Sequence, residues 1–199
     1  NLKIHRLQRT EDAEKRQSLL QELLMLSERI GSLVEDLLTL ARLDPELPLQ
    51  CVPVPLRVLL VEALADTGHL ARANDLTIDL SAGPEITVSG NVEALAILLR
   101  NLLVNAFSYA TPGTTVHIRL ALADAVHLEI CNACPPLSAA EFRQISHRFY
   151  RVPGTAPVGA GLGLSIVERI ATLHDATFSA GPQTAGDGFC ARLSLPTSG

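Results

Sequence analysis

Apolar positions recur in steps of three and four through residues 11–44. Leu23, Leu26, Ile30, Leu33, Leu37 and Leu40 trace the a/d seam of a coiled coil, and Leu20, Leu24, Val34 and Leu38 widen it. Glu22, Glu28, Arg29, Glu35 and Arg42 occupy the opposite face. A single packed helix of a globular unit would also show a stripe. About ten turns of helix, however, is longer than a compact domain covers, so the spacing predicts a bundle formed between chains. Pro45 ends the pattern, and Pro48, Pro53 and Pro55 keep the next stretch extended. This divides the chain into a helical segment, 1–46, and a second domain, 47–199.

The second domain alternates between the two periodicities. A helix is predicted over 56–73, then a strand over 76–80, where Leu76, Ile78 and Leu80 alternate with polar residues. Gly83-Pro84 turns the chain into a short strand over 85–88, and Gly90-Asn91 opens a helix that runs to Tyr109. Thr111-Pro112-Gly113 leads into strands over 114–122 and 125–131. A helix over 138–148, a Gly-rich loop over 153–163, a helix over 164–174, and strands over 176–180 and 188–195 follow. Strands come mostly in adjacent pairs with helices between the pairs. That order predicts an α+β sandwich, a mixed sheet with helices on one face, rather than a strict parallel βαβ run.

Composition narrows the functional classes. Of 199 residues, 47% are hydrophobic and 19% charged, too apolar for a disordered chain. The formal net charge is −5 with no basic block, which argues against nucleic acid as a partner. The apolar runs fall short of the roughly 18 residues that cross a bilayer, so the expectation is a soluble segment. The opening Asn1-Leu2-Lys3-Ile4 falls inside a helical pattern, as in a piece of a longer chain. Four cysteines are too few for a disulfide framework, which predicts reduced thiols and a cytoplasmic setting. Cys131-x-x-Cys134 lacks the second pair that zinc spacing requires; small core thiols are the favoured reading, with a redox switch as the alternative. His69, His117, His127, His147 and His174 show no ligand spacing and are expected at the surface or at helix caps.

Two segments carry candidate chemistry. Asn101, Asn105 and Tyr109 are four apart and share one face of a helix whose Leu102, Leu103 and Val104 mark it as buried. Amides there need partners, which a hydrated metal or a nucleotide phosphate supplies; a water-facing helix surface is the plainer alternative. Gly159, Gly161 and Gly163 lie on alternate positions ahead of a helix, so backbone N–H groups and the helix N-terminus can meet one anion. The loop is not a Walker A loop, which ends in Gly-Lys-Ser/Thr.

Taken together, Asn101-x-x-x-Asn105-Ala-x-x-Tyr109 and the later Gly159-x-Gly161-Leu162-Gly163-Leu-x-Ile-Val resemble the ATP-binding domain of bacterial sensor histidine kinases. Between them, Arg148-Phe149-Tyr150-Arg151 looks like that family's F box. The stretch from Gly186 to Pro196 is similar to its closing strand, and Leu33 to Asp44 to the second helix of its dimerisation hairpin. The resemblance implies a Bergerat-type sandwich preceded by a dimerisation helix. Its cofactors would be ATP and Mg²⁺, with Asn105 giving the ion a neutral oxygen and Asn101 helping to hold the site. Asn at 101, where ATP-hydrolysing relatives carry a Glu base, favours phosphoryl transfer over hydrolysis. Tyr109 would border the nucleotide, Arg151 and Arg148 would reach its terminal phosphate, and Gly159, Gly161, Leu162 and Gly163 would frame the phosphates. The implied activity is ATP-dependent phosphorylation of a histidine, then of an Asp in a response regulator. The implied setting is a homodimer in the cytoplasmic portion of a bacterial inner-membrane protein, attached through upstream segments.

The chain departs from the family pattern at three places. Where relatives carry Asp-x-Gly-x-Gly, this sequence has Asn132-Ala133-Cys134-Pro135-Pro136. Asn132 keeps a carbonyl acceptor for the adenine amino group but loses charge assistance, and both glycines are replaced. A nucleotide-weak pseudokinase, acting as a regulatory binding module or phosphatase, is therefore the alternative reading. The basic residue that many relatives place before the Tyr is Ser108 here. The phosphoacceptor motif is absent: His5 is followed by Arg-Leu-Gln, so the phosphorylated histidine is expected upstream of residue 1 and this chain alone is not expected to autophosphorylate.

Overall fold

Pro53 and Pro55 hold φ in the extended range, and in the computed structural model of the protein that stretch is a short strand, β1 (Val52–Pro55). The structure describes residues 50–83, 85–145, 147–152, 161–183 and 188–197, with eight positions between 17 and 38 that are helical and exposed. Most of the predicted long helix, and residues 153–160 of the Gly-rich loop, lie outside the described residues. Strand β1 pairs antiparallel with β3 (Thr87–Gly90).

The remaining strands are β2 (Thr77–Ala82), β4 (Thr115–Leu122), β5 (Val126–Asn132), β6 (Thr177–Pro182) and β7 (Phe189–Leu195). They form one mixed sheet in the order β2-β4-β5-β7-β6, with β2 parallel to β4 and the other pairs antiparallel. Strands β2 and β3 are consecutive yet do not pair, which departs from the adjacent-pair pattern read along the sequence. Each finds a better partner elsewhere: β3 takes β1, and β2 joins β4 across an intervening helix.

From residue 50 onward the helices among the described residues are α1 (Leu56–Ala73), α2 (Val92–Tyr109), α3 (Ala139–Gln144) and α4 (Gly163–Leu173). On α1, Leu56, Leu59, Leu60, Ala63, Thr67 and Ala71 make a buried stripe at helical spacing. Helix α2 is capped by Asn91, whose side chain accepts the Ala94 N–H at 3.0 Å. Its 18 residues reach a mean hydropathy of 1.3, enough by length and composition to cross a membrane, although Glu93, Arg100, Asn101 and Asn105 interrupt its apolar runs. In the fold it is the central core helix: Leu95, Leu98, Leu99, Leu103 and Phe107 are fully buried. They meet Val116, Ile118, Leu128, Ile130 and Leu193 from the sheet and Ile166, Val167 and Ile170 from α4 in one cluster. Each such side chain contributes about 1.5–3 kcal/mol on burial.

Helix α3 ends four residues before the predicted 148. A capping box at Ser138 and Glu141 starts it, and the chain then turns, with the His147 N–H donating to Gln144 O at 2.8 Å. The open face of the sheet is polar. Arg192 Nε donates to Glu129 Oε2 at 2.8 Å, within a shallow groove of about 400 Å³ that also includes Arg119, His127 and Ser194.

Candidate nucleotide site

The polar stripe of α2 survives folding. Asn101, Asn105 and Tyr109 are half-buried on the side not packed into the core, and Ser108 lies beside them. Asn101 is bent back on its own helix, its Nδ2 donating to Ile97 O at 2.9 Å. That leaves Oδ1 directed at the N-terminus of α4, where a Cβ built on Gly163 would stand 2.9 Å from it. Any side chain at 163 would push the amide away. Two motifs sixty residues apart in sequence are thus in van der Waals contact.

The approach to α4 is held from the other side. Gly161 adopts φ +75°, a left-handed conformation that glycine reaches without strain. A Cβ there would lie 2.9 Å from Tyr150 O and 3.0 Å from the Phe149 carbonyl carbon. The Phe149 N–H donates to Gly161 O at 2.9 Å, and Phe149 itself has φ +64° with its ring largely exposed. The Arg148–Arg151 segment is therefore strapped to the glycine turn; Arg148 is exposed and Arg151 half-buried. Leu162, expected among the residues framing the phosphates, is fully buried and packs into the core instead of facing an anion. Its carbonyl accepts from Ile166 N–H and from the Ser165 hydroxyl, which anchors the first turn of α4. Gly159 lies outside the described residues.

Asn132 ends β5 on the helix-facing side and is 1% exposed. Its Nδ2 donates to Ala133 O at 3.3 Å, while its Oδ1 finds no partner among the described residues. A buried, unsatisfied carbonyl oxygen costs about 1–3 kcal/mol, and an N–H donor on a ligand would satisfy this one. Gly188 makes room beside it: a Cβ there would meet Asn132 O at 2.6 Å. The donor set on α2 fits a magnesium-bound polyphosphate, since neutral amide oxygens leave the ion's charge for the phosphates.

Other expectations change. Cys131 is not a reduced core thiol: it forms a disulfide with Cys190, directly opposite it in the β5–β7 register. Nothing in the sequence pairs these two, because they become neighbours only through strand register; the spacing instead drew attention to Cys134, which is outside the bond. Glu129, Cys131 and Cys190 bring donor atoms within 4.8 Å of one another. With the sulfurs joined, that cluster has no thiolate to offer a metal, and one Glu129 oxygen is already bound to Arg192. His174 is the C-cap of α4, as expected of a capping histidine, but it is buried. The Asn91 N–H donates to its Nε2 at 3.0 Å, so the ring proton sits on Nδ1 and is given to Ile170 O at 2.8 Å. This links the ends of α2 and α4.

Comparison with known proteins places this geometry. Residues 90–199 match the model of the histidine kinase-, DNA gyrase B- and HSP90-like ATPases. Sensor protein QseC of Escherichia coli K12 is 36% identical over 186 residues, covering 92% of this chain and 40% of QseC. Sensor protein kinase PmrB of Pseudomonas aeruginosa is 36% identical over 173 residues, covering 85% of this chain and 36% of PmrB. The solved cytoplasmic segment of histidine kinase QseC superposes with a TM-score of 0.60 at 30% identity, covering 86% of this chain and 95% of that one. The chain thus spans about two fifths of the length of its curated relatives. It belongs to the histidine kinase-, DNA gyrase B- and HSP90-like ATPase family, among the sensor histidine kinases.

Proposed function

We propose that residues 47–199 bind ATP with Mg²⁺ and present its γ-phosphate to a histidine upstream of residue 1, from which the phosphate passes to an Asp of a response regulator. The observation that carries this reading is the contact of Asn101 with Gly163, which joins the amide face of α2 to the glycine turn and the N-terminus of α4. Asn105, one turn along the same face, would supply a neutral oxygen to the Mg²⁺, whose charge would offset that of the phosphates. Backbone N–H groups at the start of α4 face the phosphates. Arg151 and Arg148, held by the Phe149–Gly161 strap, reach the terminal phosphate, and Tyr109 borders the nucleotide. Asn101 in place of a carboxylate leaves no base to activate water, so transfer is favoured over hydrolysis. Asn132 takes the adenine amino group on its unsatisfied Oδ1.

Residues 1–46 supply a dimerisation helix. Leu20, Leu23, Ile30, Val34 and Leu38 are helical and about half-exposed, an apolar stripe suited to a bundle with a second copy. The setting is the cytoplasmic side of a bacterial inner membrane. Titration with a fluorescent ADP analogue and Mg²⁺ tests the site: micromolar binding should be lost in Asn105→Ala. Absence of binding in the unaltered chain would refute the kinase reading and leave a regulatory module.

A further inference from the structure

The amide at the end of β5 has a property that a carboxylate there would lack. Rotating it by half a turn exchanges an acceptor for a donor. We propose that this pocket accepts guanine as well as adenine, so that the domain binds GTP and GDP alongside ATP and ADP. The proposal rests on the reading of Asn132 as the base acceptor and concerns which base it accepts.

The neighbours of Asn132 in the sheet offer a base no polar side chain. Its neighbours in register, Val116 on β4 and Phe189 on β7, are apolar and buried. Among the described residues, the one hydrogen bond that orients the amide is the 3.3 Å contact from Nδ2 to Ala133 O, at the long end of the normal range. In this orientation Oδ1 is unsatisfied and would accept from the 6-amino group of adenine. In the reversed orientation Nδ2 donates to O6 of guanine, and Oδ1 turns toward the Ala133 carbonyl. The penalty for guanine is one weak hydrogen bond together with an acceptor placed near an acceptor. A loss of that size corresponds to about tenfold in affinity. A carboxylate has no such alternative: both oxygens repel O6, and a site built to accept from an amino group rejects the carbonyl analogue by several orders of magnitude.

The test is competition of ADP, GDP and IDP against a fluorescent ADP analogue, with Mg²⁺, for the unaltered chain and for Asn132→Asp. IDP has the guanine 6-carbonyl and N1–H without the 2-amino group, so it separates the 6-position edge from any contact made by the 2-amino group. The unaltered chain should bind GDP and IDP within about tenfold of ADP. In Asn132→Asp the preference for ADP should widen to about a hundredfold or more. A hundredfold preference for ADP already present in the unaltered chain would overturn the proposal, even if the variant failed to fold. So would a folded Asn132→Asp with an unchanged ratio. If none of the three displaces the probe, or the probe itself does not bind, the nucleotide reading of the site fails and this inference fails with it. Strong ADP binding with GDP and IDP excluded leaves the nucleotide reading intact and removes only the inference.

Discussion

Breaking the Cys131–Cys190 bond should remove a large share of this domain's stability. The bond joins residues 59 apart in sequence, across the two central antiparallel strands of the sheet. In the chain-entropy model, closing a loop of that length stabilises the folded state by about 4 kcal/mol, by restricting the unfolded chain. A domain of this size has a total stability of about 5–15 kcal/mol, so the bond matters to whether it folds at physiological temperature. At about 2–4 °C per kcal/mol, reduction should lower Tm by about 8–16 °C. The assay begins with thiol counting in denaturant. Two of the four cysteines should react before reduction and all four after it. Scanning calorimetry with and without a phosphine reductant, and on the Cys131→Ser/Cys190→Ser double variant, then gives the shift. Four reactive thiols before reduction would refute the pairing. Two thiols with a Tm change under about 2 °C would refute the loop-entropy reasoning instead.

Two further outcomes follow from local contacts. His174→Ala leaves the Asn91 N–H without its acceptor at the start of the core helix, and should destabilise the domain by about 1–3 kcal/mol in urea unfolding; a loss below about 0.5 kcal/mol would contradict the link between α2 and α4. Hydrogen bonding to Ser138, through its hydroxyl and its backbone N–H, holds the Glu141 carboxyl below the usual carboxylate range. Because the folded value is depressed, the capping box is fully stabilising above about pH 4.3, the ordinary glutamate value, and weakens as pH falls through the lower folded value. The Ser138 amide resonance should therefore titrate with a midpoint below about 4.3, and a higher midpoint would contradict the capping geometry.

Elements defined by local pattern were readable from sequence nearly to the residue. The helix predicted over 56–73 is α1, and the strands predicted over 114–122 and 125–131 are β4 and β5, each displaced by about one residue at an end. Asn91 as the start of α2 was readable because a capping side chain acts within three residues. The predicted 138–148 helix shrank to six residues, since its apolar pattern was too short to outweigh the turn at Gln144–Phe149. The candidate motifs were likewise local, with Asn101, Asn105 and Tyr109 on one helix face and Gly161 and Gly163 at the start of another.

Sequence alone therefore determined the elements, the amide face and the glycine turn, because each depends on side-chain periodicity or on backbone preferences of single residues. Tertiary structure decided what those elements do to one another. It separated β2 from β3, placed Asn101 against Gly163, and left Asn132 Oδ1 buried without a partner among the described residues. It also brought Cys131 opposite Cys190, while the sequence spacing pointed to Cys134. Strand register and helix docking are set by the whole core at once, and a one-residue slip of β5 would turn Cys131 and Asn132 to the opposite faces of the sheet.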